Sequence, residues 1–252
     1  MSTAAPASPL PGLSPLGAVA GVFRRPRATF ATLVRRPTWW LPFVAGVLLS
    51  AVFSVVMTDK IDYDTAMRQA VEKRAARSGQ TMSKQRTDEA IDRAVEMQRK
   101  IAPYSPTIGA AMYAFIFFVI ALVLAFAANA FGAEAKIPVF LSIYAHAQIP
   151  LLIRSAVALG RLFLASDASL TFDDLGKLGA VGPAAFLSPR TAPPLVWVAA
   201  SSADLLVLAT VFLLVLGFRA IPGLTRKTAT ILPISLWGLM VLCRLGWAAL
   251  FG

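Results

Sequence analysis

Long apolar stretches constrain this chain more than any other feature, and residues 194–217 (PLVWVAASSADLLVLATVFLLVLG) form one of them, with a carboxylate, Asp204, near the centre. A helix needs about 20 apolar residues to cross a bilayer. The chain is 57% hydrophobic and 15% charged, whereas about a quarter of the residues of a soluble domain are charged. These features exclude an ordinary soluble domain and predict an integral membrane protein.

The apolar stretches predict an all-α fold, namely a polytopic membrane helix bundle with five transmembrane helices. The predicted spans cover residues 39–57, 108–131, 139–165, 194–217 and 228–251. Residues 1–16 are rich in Ala, Ser and Pro and predict a flexible tail, and residues 166–193 predict an extracytoplasmic loop. Pro150 predicts a kink in the third span.

A charged segment separates the first two spans. Residues 58–105 contain ten basic and eight acidic side chains, with apolar residues at helical spacing on both sides of a turn at 78–80. This pattern predicts an extracytoplasmic helical hairpin. Two interpretations of it stay open: a solvated spacer, or a hairpin that binds a partner or dimerises.

The basic residues predict the orientation of the chain. The formal net charge is +11, and basic residues mark the cytoplasmic connections of membrane proteins. The expected cytoplasmic residues are Arg24, Arg25, Arg27, Arg35, Arg36, Lys136, Arg219, Arg226 and Lys227. We therefore expect a multi-pass protein of the inner (plasma) membrane, with a cytoplasmic N-terminus and an extracytoplasmic C-terminus.

The five arginines before the first span belong to residues 17–38, where apolar side chains such as Phe23, Phe30 and Val34 are interspersed. This pattern fits a basic amphipathic helix on the membrane surface, and it fits equally a juxtamembrane flank. Pro26 is expected in the first turn of the helix. Nucleic-acid binding is not predicted, because the basic residues form no separate domain with interleaved aromatics.

Four ionisable residues lie inside the predicted spans and form a candidate intramembrane charge cluster: Asp204, Arg154, Arg244 and His146. A lone charge at mid-bilayer costs about 2.5–3.5 kcal/mol on insertion scales, which favours pairing. The leading hypothesis is a structural pair between Asp204 and an arginine. A substrate or proton site, and arginines that reach the membrane surface without pairing, are the alternatives. His146 is either a hydrogen-bonded packing residue or, with Gln148, part of a polar path.

The sequence offers no motif for catalysis or cofactor binding. Cys243 is the single cysteine, and no CxxC, HExxH, GxSxG, P-loop or dinucleotide-binding pattern occurs. We therefore predict no catalytic residue, no metal, no cofactor and no enzymatic activity. The leading functional hypothesis is a membrane protein that organises membrane or protein partners, as a homo-oligomer or with another membrane protein. The alternative is a small transporter or channel that uses the intramembrane charges.

Several positions resemble those of the bacterial members of the Yip family, the Ypt/Rab-interacting multispan membrane proteins. The matching residues are Phe23, Pro26, Phe30, Leu33 and Pro37, then Tyr144 with Pro150-Leu151-Leu152, then Ala203-Asp204-Leu205 with Leu214 and Gly217, and finally Thr225-Arg226-Lys227. The resemblance covers about residues 20–250. The segment at 58–105 looks like an insertion typical of bacterial forms.

The resemblance implies a five-span bundle with a cytoplasmic N-terminus. For eukaryotic relatives it implies trafficking roles, association with small GTPases and oligomers. This chain departs from those relatives, since residues 37–42 (PTWWLP) stand where they carry an acidic Asp-Leu-Tyr-Gly-Pro type motif. The departure argues against carrying small-GTPase binding over to this chain.

Overall fold

The computed structural model of the chain describes residues 13–68, 71, 84–164, 176–188 and 191–251. Within these ranges the chain is helical and has no β-strand, so the all-α prediction is confirmed. Residues 1–12 of the predicted tail, the predicted turn at 78–80 and residues 166–175 of the predicted loop lie outside the described residues.

Three helices are long and apolar enough to cross a membrane unaided, and two bent helix pairs bring the number of candidate spans to five. In chain order the helices are α1 (Pro15–Arg24), α2 (Pro26–Arg35), α3 (Trp40–Lys60), α4 (Lys84–Ile101), α5 (Ser105–Ala130), α6 (Ile137–Ala147), α7 (Ile149–Leu164), α8 (Pro194–Ser202), α9 (Leu205–Phe218) and α10 (Arg226–Phe251). The unaided candidates are α3, the continuous helical stretch that ends with α5, and α10. This arrangement confirms a polytopic helix bundle.

The third and fourth predicted spans are each broken into two helices. Helices α6 and α7 meet at Gln148 with a bend of 42°, just before Pro150. Helices α8 and α9 meet at residues 203–204 with a bend of 49°. Proline removes a backbone donor and clashes with the preceding turn, which accounts for the first break. The second break has no proline at its centre and is explained by Asp204, as described below.

The basic N-terminal segment folds as two helices that pack on the bundle. Pro26 occupies the first position of α2, so the chain breaks at Arg25 between α1 and α2. The side chains of Val22, Phe30 and Leu33 are buried in the same core as residues of α6 and α9. Two helices thus replace the single helix expected over residues 17–38. Their buried apolar side chains contact protein, whereas Phe23 is 56% exposed.

Two glycine turns join the connections at one end of the bundle. Gly132 after α5 and Gly223 before α10 have φ values of +87° and +83°, which a side chain would disfavour. The backbone N–H of Glu134 donates to the carbonyl of Pro222 at 3.1 Å. The α5–α6 and α9–α10 connections therefore lie side by side.

The segment between α3 and α5, which we call the hairpin after its predicted form, contains two helical stretches in its described part. Residues 63–68 are helical, and Arg68 bridges to Asp88 of α4 at 3.0 Å. Helix α4 runs through a 3-10 turn, Ala102–Tyr104, directly into α5. At the base of the hairpin the hydroxyl of Thr58 donates to that of Ser105 at 3.1 Å, so α3 and α5 are adjacent there.

Asp62 begins the first helix of this hairpin and gives it a pH dependence. Its carboxylate accepts hydrogen bonds from the hydroxyl and the backbone N–H of Thr65, at 2.7 and 3.1 Å, which lower the pKa of Asp62. Because the pKa of Asp62 is lower in the folded protein than in the unfolded chain, its ionised carboxylate stabilises the helix at pH values above the ordinary pKa near 4. This stabilisation is lost as the pH falls through the folded pKa. We expect faster amide exchange at Thr65, relative to its intrinsic rate, below about pH 4. The variant Asp62→Ala should exchange fast at every pH; equal protection in both proteins would contradict the prediction.

Candidate functional site

Asp204 lies between α8 and α9, and its side chain caps α9. Oδ1 accepts from the backbone N–H groups of Leu206 at 2.9 Å and Val207 at 3.4 Å. Aspartate is among the preferred N-cap residues, because its oxygen satisfies donors that have no partner inside the helix. The side chain is only 1% exposed. The charge that interrupts an apolar run thus begins a new helix.

The second carboxylate oxygen of Asp204 holds a segment that precedes α8 by several residues. Oδ2 accepts from the backbone N–H of Val181 at 2.8 Å, and the N–H of Leu205 donates back to the carbonyl of Val181 at 2.9 Å. A methyl group on Gly182 would lie 3.2 Å from the Cα of Asp204. The connection before α8 therefore packs directly against the helix break.

Arg154 and Arg161 of α7 hold the same segment. Nε of Arg154 donates to the carbonyl of Gly179 at 3.2 Å and lies 3.9 Å from Oδ2 of Asp204. Nη1 of Arg161 donates to the carbonyl of Leu178 at 2.8 Å. The structure brings Asp204 and Arg154 together as expected, but at the outer limit of an ion pair, and the shorter contacts of both residues are with backbone groups.

Arg244 of α10 does not pair with Asp204. Its Nη2 donates to Ser201 at 3.1 Å and its Nη1 to Ser202 at 3.4 Å. Both hydroxyls in turn donate to the carbonyl of Val198 one turn earlier in α8. Arg244 therefore joins α10 to the end of α8, on the opposite side of the helix break from α9.

Because Ser201 and Ser202 keep their own acceptor when the guanidinium is removed, Arg244→Leu should be nearly neutral. No buried donor loses its partner, and leucine suits a helix among other spans. We expect the melting temperature of the purified protein, followed by tryptophan fluorescence, to change by at most roughly 3 °C, equivalent to about 1 kcal/mol. A fall of more than twice that amount would show that Arg244 supports the charge cluster directly.

His146 lies apart from these contacts, near the end of α6. Its Nδ1 is 2.9 Å from the carbonyl of Ser142, which assigns the proton to Nδ1. Ser142 in turn exchanges hydrogen bonds with the backbone of Thr38 at 3.1 and 3.2 Å. Nε2 is buried and has no partner in the described part of the chain. Gln148, expected beside His146 in a polar path, instead accepts from the Tyr113 hydroxyl at 3.1 Å.

A cavity of about 370 Å³ lies between α3, α5 and α7. Its walls are mostly apolar, with Leu49 and Phe53 from α3 and Leu151 and Leu152 from α7. Its polar groups include Arg154 of α7. Ser50 and Ser155 also line it, but their hydroxyls donate to the carbonyls of Gly109 and Leu151. Arg154 is the one charged residue among those that line the cavity.

The five arginines expected at the membrane surface all have exposed side chains and follow the outer faces of α1 and α2. Arg219, Arg226 and Lys227 are also exposed, in the connection that continues from α9 to α10. That connection is close to α2, since a methyl group on Gly217 of α9 would lie 3.2 Å from the Phe30 ring. These residues therefore give one end of the bundle a basic surface.

Sequence reasoning missed the break at residues 203–204 and the segment 178–181 that closes over it. One local signal was present: two serines, an alanine and an aspartate in succession suit the end of one helix and the N-cap of the next. Nothing in the sequence connects this point with Val181, because Val181 makes the contact through its backbone N–H and carbonyl groups.

A family model described as the Yip1 domain matches residues 20–248 of the chain. The matched range begins within α1, includes both broken spans and ends within α10. A comparison with curated proteins finds no match, and neither does a comparison with solved structures.

Proposed function

Because this chain belongs to the Yip1 domain family, we propose that it is a non-enzymatic scaffold of the inner membrane that organises protein partners through its hairpin. In this proposal the basic end of the bundle faces the cytoplasm and the hairpin lies outside it, since basic residues are retained on the cytoplasmic side. The partner is a second copy of the chain or another membrane protein. Small-GTPase binding forms no part of the proposal.

One observation carries the proposal: the buried carboxylate of Asp204 is fully used in holding the fold. It accepts three backbone N–H groups, from Val181, Leu206 and Val207. A transport site needs a charge that can exchange its partner for a solute, whereas a carboxylate in this environment gives up buried hydrogen bonds if it moves. Asp204 therefore supports a rigid frame rather than a path.

The hairpin is the part of the chain that such a frame presents. Its described ion pairs are exposed, including Lys100 with Glu96 at 2.8 Å and Arg93 with Glu89 at 3.5 Å. Near the base, the side chains of Met97, Ile101 and Tyr104 are 63%, 40% and 65% exposed. Apolar groups of this kind, rimmed by charges, are typical of interaction surfaces.

The test replaces residues 61–101 with a short Gly-Ser linker, which the Thr58–Ser105 contact permits without moving α3 from α5. We expect a protein that is identified by cross-linking in native membranes, and recovered reciprocally, to be lost in this variant. The control exchanges Glu96 and Lys100, which keeps the length, the net charge and the ion pair. Retention of every partner after the deletion would show that the hairpin is only a spacer.

A transport assay distinguishes the scaffold from the alternative function, a small transporter or channel. Proton flux into proteoliposomes that enclose pyranine is expected to match that of empty liposomes. Flux above that level, abolished in Asp204→Asn without loss of folded protein, would overturn the scaffold proposal in favour of a transporter.

A further inference from the structure

We propose that the cavity between α3, α5 and α7 binds a single-chain carboxylate amphiphile, a long-chain fatty acid of the bilayer, with its carboxylate on Arg154. This binding site is separate from the hairpin and does not depend on the scaffold role. The proposal rests on three features: the free edge of the Arg154 guanidinium, the apolar walls around it, and the size of the cavity.

The guanidinium of Arg154 is only partly used by the protein. The hydrogen bond that it makes within the described residues comes from Nε, to the carbonyl of Gly179. The carboxylate of Asp204 already accepts three backbone N–H groups and stays 3.9 Å from Nε of Arg154. The two terminal amino groups of Arg154 have no hydrogen-bond acceptor among the described residues and can take one from outside the chain. A carboxylate matches these parallel donors with its two oxygens.

The rest of the cavity suits a hydrocarbon chain. Leu49, Phe53, Leu151 and Leu152 line it together with Arg154, and two of the three lining helices, α3 and α5, belong to stretches long enough to span the membrane. An apolar pocket with a few placed polar groups is the usual form of a ligand site. An occupant that reaches it from the bilayer must itself be an amphiphile.

The size of the cavity selects among anionic lipids. A volume of about 370 Å³ lies at the lower end of the roughly 300–1,000 Å³ found for small-ligand sites. One acyl chain with a compact head group fits this range better than a diacyl phospholipid. Gly179 lines the cavity next to Arg154, where a methyl group would lie 2.9 Å from the Arg154 carbonyl. The segment held by Arg154 therefore also closes one side of the site.

The test uses palmitic acid that carries a photoactivatable diazirine on its chain, added to the full-length protein in nanodiscs. Cross-links are expected at residues 46–53 of α3 or at Tyr113, mapped by mass spectrometry. The corresponding alcohol keeps the chain but loses the charge, so we expect it to label these positions about tenfold less, as befits one charge-assisted pair. Equal labelling by acid and alcohol in the wild-type protein would overturn the proposal.

Three variants extend the test. Arg154→Gln is expected to lower labelling by the acid to the level of the alcohol, whereas the control variant Arg244→Gln, which removes an arginine of α10 outside the cavity wall, should keep at least half. Ser155→Leu should block the cavity while leaving Arg154 and its contact with Gly179 in place. Unchanged labelling in Ser155→Leu, or equal labelling of the cavity by a diazirine phospholipid, would contradict a single-chain carboxylate site even if Arg154→Gln fails to fold.

Discussion

Asp204→Ala is expected to lower the free energy of unfolding by about 3 kcal/mol, as the sum of two losses. Removal of the N-cap of α9 costs about 1 kcal/mol, and the buried N–H of Val181, left without its acceptor, costs about 1–3 kcal/mol. The 3.9 Å contact with Arg154 adds less, since that guanidinium keeps the carbonyl of Gly179. In detergent, the melting temperature should fall by roughly 6–10 °C.

The conservative variant Asp204→Asn separates the two losses. Asparagine is as good an N-cap as aspartate, so α9 should stay capped by the amide oxygen. The amide nitrogen, however, meets the N–H of Val181 donor to donor, so about half of the destabilisation should remain. An unchanged melting temperature in both variants, together with the loss of a transport activity, would show that Asp204 is a substrate group rather than a structural one.

The helical membrane fold could be predicted from the sequence because one physical requirement dominates it. Backbone groups in the bilayer must be hydrogen-bonded internally, so each long apolar run is expected to be helical. The limits of the prediction appear at residues 194–217, which read as one span. Hydropathy depends on side chains, so it does not show where the backbone hydrogen bonds of a helix are interrupted. At such a break the backbone groups bond to other segments, as the N–H of Leu205 does to the carbonyl of Val181.

The arginine partner of Asp204 was only half predictable, for a geometric reason. The rise of about 1.5 Å per residue gives the depth of a residue in its span, and by this measure Arg154, Arg244 and Asp204 lie at similar depths. Which residue faces Asp204 depends on how each helix is rotated and bent. The bend places Ser201 and Ser202 of α8 in front of Arg244, while Arg154 on α7 approaches Asp204.

The basic N-terminal segment shows a similar limit. An amphipathic pattern indicates that one face of a helix is shielded from water, but it does not indicate whether lipid or protein covers that face. Phe30 and Leu33 are 0% and 1% exposed because α6 and α9 cover them, a contact over more than a hundred residues of sequence. The outward direction of the arginines, by contrast, followed from their charge alone.

The docking of α2 on the bundle depends on Gly217, and Gly217→Leu is expected to destabilise the protein by about 2–3 kcal/mol through overpacking. A Cβ atom at this position would overlap Cγ2 of Ile143 and lie 3.2 Å from Cδ1 of Phe30. Both neighbours are fully buried, so neither can turn away into lipid. The melting temperature should fall by roughly 4–9 °C, and trypsin should cleave sooner at Arg27 and Arg35 as α2 detaches.

Gly238→Leu in α10 is the matched control, because a Cβ atom there meets nothing within 4 Å. Both substitutions gain the same helix propensity, up to about 1 kcal/mol for leucine over glycine, so the difference between the two variants isolates the packing term. Gly238→Leu should melt at or slightly above the wild-type temperature. Equal melting temperatures and equal trypsin rates for the two variants would show that the close packing at Gly217 does not support the docking of α2 on α6 and α9, since only that packing distinguishes the two sites.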